Sequence, residues 1–390
     1  MKVVLSTVGR FHIFPLAREF EKLGVLERVY SGFPWSRLAR EGVSRARVTT
    51  FPLVRPLLMG LRFLPFPVPK GTTDRLHQLS AASQDRFVAR HMPPCDIFVG
   101  HEAVGLLSGR EAQSRGALYV CDRGCSHIGW QYRLLDEEYA RQGLPPPKRT
   151  PTLHRELAEY EAADLIVVAS GMVRRSFLEE GFAPEKLAVI PYGVNVERFH
   201  PVGAPDPARF DILFVGALSV RKGARDLLTA FHAAKIPNKR LRLAGAITDE
   251  IRETCADLLD HPAIEILGHV PHERLKEVMS TSHLITLPSI EDGFGMVVAE
   301  AMACGCPAVV SENTGAADIV EEGVSGFVVP IRAPEVLAER FERIAAAPEL
   351  RQAMSEAALA RVAQMGGWSA YGEAMRDVFL TALERLPQNP

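Results

Sequence analysis

The sequence predicts an α/β protein of two domains, each an alternation of buried strands and amphipathic helices. Three observations carry that expectation. Short apolar runs alternate with segments of helical apolar spacing through both halves of the chain. A Pro- and Gly-rich run at 201–208 divides the halves. At 390 residues the chain can bury two sizeable cores. Hydrophobic content of 47%, 24% charged residues and a net charge of −2 describe a soluble globular protein without the basic excess of a nucleic-acid binder.

Residues 2–6 read as a buried strand entered at once, with no signal-peptide pattern. A turn at 7–12 holds Gly9 and His12, and 13–23 has helical spacing that stops at Gly24. From 31 to 90 the charge balance changes. Ten cations (Arg37, Arg40, Arg45, Arg47, Arg55, Arg62, Lys70, Arg75, Arg86 and Arg90) stand against three acids (Glu41, Asp74 and Asp85). Within this stretch, 51–70 interleaves apolar side chains with cations, which suits an anionic membrane surface or an anionic acceptor. Five prolines between Pro52 and Pro69 argue against one continuous helix there.

Strands at 96–100 and 117–121 follow, ending in His101-Glu102 and in Asp122, Arg123 and His127. Ligands of open α/β sheets bind at the carboxyl ends of strands, so these clusters are placed for chemistry. A helix at 152–163 and a strand at 164–170 come next, with Ser170 capping the following helix. A short strand at 187–190 leads into 191–201, and the domain boundary is set near residue 200.

The second half restarts with a strand at 211–216, closed by Gly216. Arg221 and Lys222 lie at the mouth of the next turn, where a point charge and a bidentate donor suit a diphosphate. Strands at 241–244 and 264–267 precede Gly268-His269-Val270. The most informative stretch is 288–307. An apolar strand at 283–287 passes through a turn at Gly293 and Gly295 into a short helix stopped by Gly305. Such a turn offers free N–H groups and the positive end of a helix dipole to an anion. Glu300 lies one turn inside that helix among apolar neighbours and should face polar ligand groups, since a carboxylate buried without partners is costly. Together these features describe a site for a phosphorylated, hydroxyl-bearing ligand.

The six cysteines (Cys95, Cys121, Cys125, Cys255, Cys304 and Cys306) show neither a disulfide framework nor paired zinc spacing, and read as thiols of a reducing compartment. No uncharged apolar run reaches about 18 residues, so no transmembrane helix is expected and the cytoplasm is the expected location.

The string Gly293-Phe294-Gly295-Met296-Val297-Val298-Ala299-Glu300, with an acid separated from Glu300 by seven residues, resembles the family 4 retaining glycosyltransferases of the GT-B fold (glycosyl transferases group 1). Their hallmark is Glu, seven residues, Glu; here the first position is Asp292, with Glu291 beside it. The likeness extends through Gly193, Asn195, Phe199 and Pro201, through Lys222, and through 313–330, where Asp318 replaces the usual Glu. A further departure is Ala217, where the family carries an Arg for which Arg221 is the substitute.

The resemblance implies two Rossmann-like, doubly wound domains facing across a cleft: 1–200 for the acceptor and 201–367 for a nucleotide sugar, with 368–390 crossing back to the first. It implies that Lys222 and Arg221 stabilise the leaving diphosphate, helped by amides around Phe294, Gly295, Met296 and Val297. Gly9 and Gly216 would border the phosphates and Val270 the base. Glu300 would accept from ribose hydroxyls, Asp292 or Glu291 would orient the sugar, and His127 would lie near the reacting carbon, with His101 in reserve. No metal and no cofactor beyond the donor is implied. The partners would be a nucleotide sugar and a glycan or lipid-linked acceptor, with no nucleic acid. Cell-surface polysaccharide or glycolipid synthesis is the family's usual setting, and the basic segment adds a peripheral place on the inner face of the membrane. The rival readings are a sugar-nucleotide epimerase on the same fold and a nucleotide-sugar-binding protein that does not transfer.

Overall fold

The computed structural model describes residues 1–61, 68–101 and 103–385. Arg62 with the rest of 62–67, Glu102 and 386–390 lie outside the described residues.

The first domain is built on seven parallel strands: β1 (Val3–Thr7), β2 (Leu26–Ser31), β3 (Val48–Thr50), β4 (Ile97–His101), β5 (Leu118–Arg123), β6 (Leu165–Val168) and β7 (Leu187–Val189), in the order β3-β2-β1-β4-β5-β6-β7. The second holds β8 (Phe210–Val215), β9 (Lys239–Ala244), β10 (Ile264–Gly268), β11 (Leu284–Leu287), β12 (Ala308–Ser311) and β13 (Gly326–Val329), ordered β10-β9-β8-β11-β12-β13. β1, β4, β8 and β11 are buried along their whole length. That is the pattern of parallel sheets covered by helices on both faces, and it made these strands readable as unbroken apolar runs. β2 and β3 were not read from the sequence. Glu27 and Arg28 interrupt the apolar run of β2, and β3 is only three residues long.

In each sheet the strand order reverses once, between β1 and β4 and between β8 and β11. The loops beyond the carboxyl ends of those strands diverge and leave a crevice, the usual ligand position in doubly wound sheets. The GT-B arrangement sets the two crevices face to face.

The chain crosses between domains twice. After β7 it runs on to β8, and the final helix Gly367–Glu384 packs on the helix Ile13–Lys22 of the first domain. There Phe20 meets Phe379 edge to face at 5.9 Å, and Ser369 donates to Glu19 at 3.2 Å. The two crossings touch at Gly193, where a Cβ atom would stand 2.3 Å from the carbonyl of Gly367. Among the described residues no helix is long and apolar enough to cross a membrane.

Gly193→Ala should therefore force the crossings apart. A loss of about 1–3 kcal/mol, the usual effect of overpacking, is expected as a lower urea midpoint.

Candidate active site

The facing loops meet along a cleft whose C-domain wall is set by two turns. After β8 the chain makes a tight turn at Val220–Lys222, closed by Gly223 in the left-handed region at φ 68°. The carbonyl of Arg221 accepts from the amides of Ile290 at 2.9 Å and Glu291 at 3.3 Å, which locks this turn to the segment leaving β11. The register puts two cations beside two acids. Lys222 Nζ bonds the carboxylate of Asp292, and Arg221 Nε bonds Glu291 at 2.7 Å.

The two acids have different surroundings. Glu291 is fully buried and takes four hydrogen bonds: from Arg221, from the Ser126 amide at 3.2 Å, from the Ser126 hydroxyl at 2.7 Å and from Gln131 Nε2 at 2.6 Å. Burial pushes its carboxyl up, but the Arg221 charge and the Ser126 and Gln131 bonds outweigh that and hold it at about 2. Ser126 and Gln131 belong to the first domain, so Glu291 bridges the domains. Asp292 keeps 16% of its side chain exposed in the cleft beside Lys222.

Arg221 departs from the sequence expectation. Its guanidinium is tied to Glu291 and reaches Cys125 Sγ at 3.7 Å, and it lines a first-domain cavity of about 490 Å³ together with Arg55, His77, Arg123 and Tyr132. It is thus a C-domain side chain lent to a first-domain cavity. Arg123 there is paired with buried Glu156 at 2.7 Å.

From Asp292 the chain turns through Gly293, whose Cα lies so close to the first domain that a Cβ would stand 1.9 Å from the Gly124 carbonyl. Gly295, at φ 73°, then opens the helix Met296–Ala303, presenting the amides of Met296 and Val297 at its start. Glu300 is 9% exposed, and its carboxyl makes no hydrogen bond or ion pair among the described residues. Burial raises it to about 7, against a lowering by Arg198. Arg198 lines a second cavity of about 910 Å³ with Gly9 and Arg40 of the first domain and His269 and His272 of the second. Val270 is half-buried between those histidines, and Phe294 is buried against Tyr192 at 5.1 Å. Gly216 ends β8 at φ 136°.

His127 lies elsewhere. It caps the helix Ile128–Arg141, with Nδ1 accepting from the Gly129 amide at 3.2 Å. Its ring sits among Tyr160, Phe177 and Phe182, and burial, aided by Arg123 and Arg133 against Glu180, lowers it to about 4. It is a structural histidine of the first domain, which corrects its placement near a reacting carbon. The histidines gathered at the strand ends are His101, the last residue of β4, and His12, in the loop after β1. His12 Nε2 bonds buried Asp122 at 2.8 Å, and the His12 ring stacks on Tyr192 at 4.3 Å and meets His101 edge-on at 4.9 Å. Burial pushes Asp122 up, but the His12 charge and bond bring it below the ordinary carboxylate range. The sequence signal for His12 was its place in the first glycine-bearing loop. Asp122 stood out by its place at a strand end, but across 110 positions nothing in the sequence paired it with His12.

Further contacts hold the domains together: Ser170 Oγ donates to the Gly293 carbonyl at 2.7 Å, Asp318 accepts the Gly171 amide at 2.6 Å, and Arg332 donates to Glu138 at 2.8 Å. All six cysteines are free thiols. Among the described residues no group of three His, Cys, Asp or Glu side chains is arranged to hold a metal ion.

Residues 195–361 match the family model for glycosyl transferases group 1. Over 244 residues the chain is 26% identical to the alpha-maltose-1-phosphate synthase of Mycobacterium tuberculosis, covering 56% of this chain and 63% of that protein. It is 31% identical over 225 residues to the D-inositol 3-phosphate glycosyltransferase of Frankia alni, covering 51% and 54%. The matched region thus spans less than two thirds of these curated relatives. In fold the chain is similar to Anabaena HepE in complex with UDP-glucose, with TM-score 0.69, 17% identity and coverage of 98% of this chain and 100% of that one. It is likewise similar to the sucrose-phosphate synthase of Thermosynechococcus elongatus, with TM-score 0.73, 20% identity and coverage of 98% and 99%.

The Glu291 pair predicts a pH dependence. Its carboxyl falls from an ordinary 4.5 to about 2 on folding, so the stability it contributes is complete above the unfolded value and lost as pH drops through the folded one. Glu291→Gln should flatten that acid limb of the denaturation profile. At neutral pH the variant should lose about 1–3 kcal/mol, less than for a fully buried pair because Arg221 is partly exposed.

Proposed function

We propose that this chain, whose residues 195–361 belong to the glycosyl transferases group 1 and whose domains take the GT-B fold, transfers a sugar from a nucleotide-sugar donor to a hydroxyl of a glycan or glycolipid acceptor. The observation that carries this reading is the wall formed by Lys222 with Asp292, the Gly293–Gly295 turn and the partnerless carboxyl of Glu300. Lys222 and the amides of Met296 and Val297 neutralise the departing diphosphate, Glu300 accepts from ribose hydroxyls, and Asp292 orients the sugar once Lys222 turns to phosphate. The transfer retains configuration without a metal. The C–O bond to the diphosphate breaks, the acceptor oxygen bonds the anomeric carbon on the same face, and its proton passes to the departing phosphate. His12, held by Asp122, takes the position beside the sugar that was first given to His127.

HepE carries UDP-glucose in its complex, which makes UDP sugars the first donors to try. The Frankia relative is named for an inositol phosphate acceptor, and the hydroxyls of Tyr132, Thr150 and Thr152 along the first-domain cavity suit a polyol. A lipid-linked acceptor at a membrane surface is favoured by one feature: Leu53 and Leu57 stand 69% and 55% exposed in the same basic segment as exposed Arg37 and Arg45.

A thermal-shift panel of UDP, GDP, ADP and dTDP sugars, with and without EDTA, tests the donor site: one base should stabilise the protein by a few kcal/mol with EDTA present. Turnover of that donor separates transfer from epimerisation and from binding alone. Lys222→Ala should lower kcat about 100-fold or more while leaving the melting temperature nearly unchanged. Glu300 adds a pH signature. Because its carboxyl, near 7 in the free protein, must ionise to accept two hydroxyls, donor affinity should rise from about pH 6 to about pH 8, and Glu300→Gln should abolish that slope.

A further inference from the structure

On the side of the second sheet away from the cleft, at the amino ends of β8 and β11, lies a separate cavity of about 430 Å³. Phe210, Ile236, Pro237 and Pro348 give it an apolar lining, and three cationic side chains, Arg209, Lys235 and Arg351, stand at its edge with one acid, Glu342. An apolar cavity with a few placed polar groups is the usual form of a small-molecule site.

Two of its donors have no partner among the described residues. Most half-buried and buried arginines in this protein are matched to carboxylates: Arg123 to Glu156, Arg221 to Glu291, Arg240 to Asp211, Arg332 to Glu138. Arg351 is half-buried, and its guanidinium makes no hydrogen bond or ion pair among the described residues. Burial alone moves it, downward, which is the expense of a cation removed from water without a counter-charge. His283 is 2% exposed. Its Nδ1 accepts from the Asp211 amide at 3.0 Å, which puts the ring hydrogen on Nε2. That N–H has no partner among the described residues, and the residue lines the cavity. Burial, with Arg351 next, lowers His283 to about 4, so the ring is a neutral donor at pH 7.

Arg209 and Glu342 are engaged. Arg209 is held by Asp206 at 3.1 Å and Asp211 at 3.8 Å, and Glu342 accepts the backbone amide of Lys235 at 2.6 Å. Lys235 itself is exposed at the rim.

We propose that this cavity is a second ligand site, for a small organic anion whose phosphate or carboxylate group is held by Arg351 and the Nε2–H of His283, with Lys235 at the entrance. A cavity of this volume holds more than a bare ion, and its apolar wall suits the carbon skeleton of a sugar phosphate or a short dicarboxylate. The site is independent of the donor cleft, which opens at the opposite ends of the same strands.

The full-length protein is titrated with inorganic phosphate, glucose 6-phosphate and succinate, following the His283 side-chain signal by nitrogen-detected NMR and heat by calorimetry. At least one probe should shift His283 saturably, and the stronger class names the group recognised. Arg351→Gln should weaken that probe about tenfold or more, as for loss of a charge-assisted bond. Lys235→Gln, an exposed change that leaves the fold intact, should weaken it less, and Lys222→Gln in the cleft should leave it unchanged. No saturable His283 shift with any probe, unchanged affinity in both Arg351→Gln and Lys235→Gln, or loss of binding in Lys222→Gln would overturn the proposal.

Discussion

A carboxylate with no access to water has to be met by donors, and at Glu291 those donors come from both domains. Much of the cleft follows from that one requirement. Arg221 is drawn toward the first domain, the Ser126 amide and Gln131 are drawn toward the second, and the loops that carry them are brought together. Neighbouring residues of an extended segment project to opposite sides. With Glu291 committed to the domain junction, Asp292 falls on the other side, against Lys222. The amide of Ile290 on the Arg221 carbonyl holds both cation–acid pairs in one register. Adjacent residues in each loop thus divide two tasks, one joining domains and the other facing the cleft.

The same division explains how far the sequence could be read. Strands β1, β4, β8 and β11 were legible because burial on both faces requires unbroken apolar runs, and the Gly293–Gly295 turn was legible because only glycine fits there. Lys222, Asp292 and Glu300 stood out for related reasons: each is a charge beside a tight turn or inside an apolar helix. What the sequence did not disclose is which charge meets which. Arg221 and Lys222 look interchangeable on the page, and their separation depends on Ser126 and Gln131, contributed by a different domain.

His127 shows the same limit from the other direction. It follows a strand end, where chemistry is expected, but Tyr160, Phe177 and Phe182 converge on it from later elements and make it part of a core. His12 gained its position through Asp122 and through Tyr192, which lies in the segment joining the domains. Tyr192 also touches Phe294 and the Trp368 and Tyr371 rings of the final helix. One aromatic column thereby runs from the first turn of the chain, through both crossings, to the glycine turn of the second domain.

The packing of the final helix on the helix Ile13–Lys22 has a consequence in time. At about 5–20 residues per second, a ribosome reaches Gly367 roughly 345 residues and some twenty to seventy seconds after Lys22. Throughout that interval the first domain lacks the helix that covers Phe20, and it still lacks it after β7 at Leu187–Val189 has completed the set of seven strands. The nascent chain therefore carries an apolar patch that no earlier segment covers, and the second domain must be made before the first is finished.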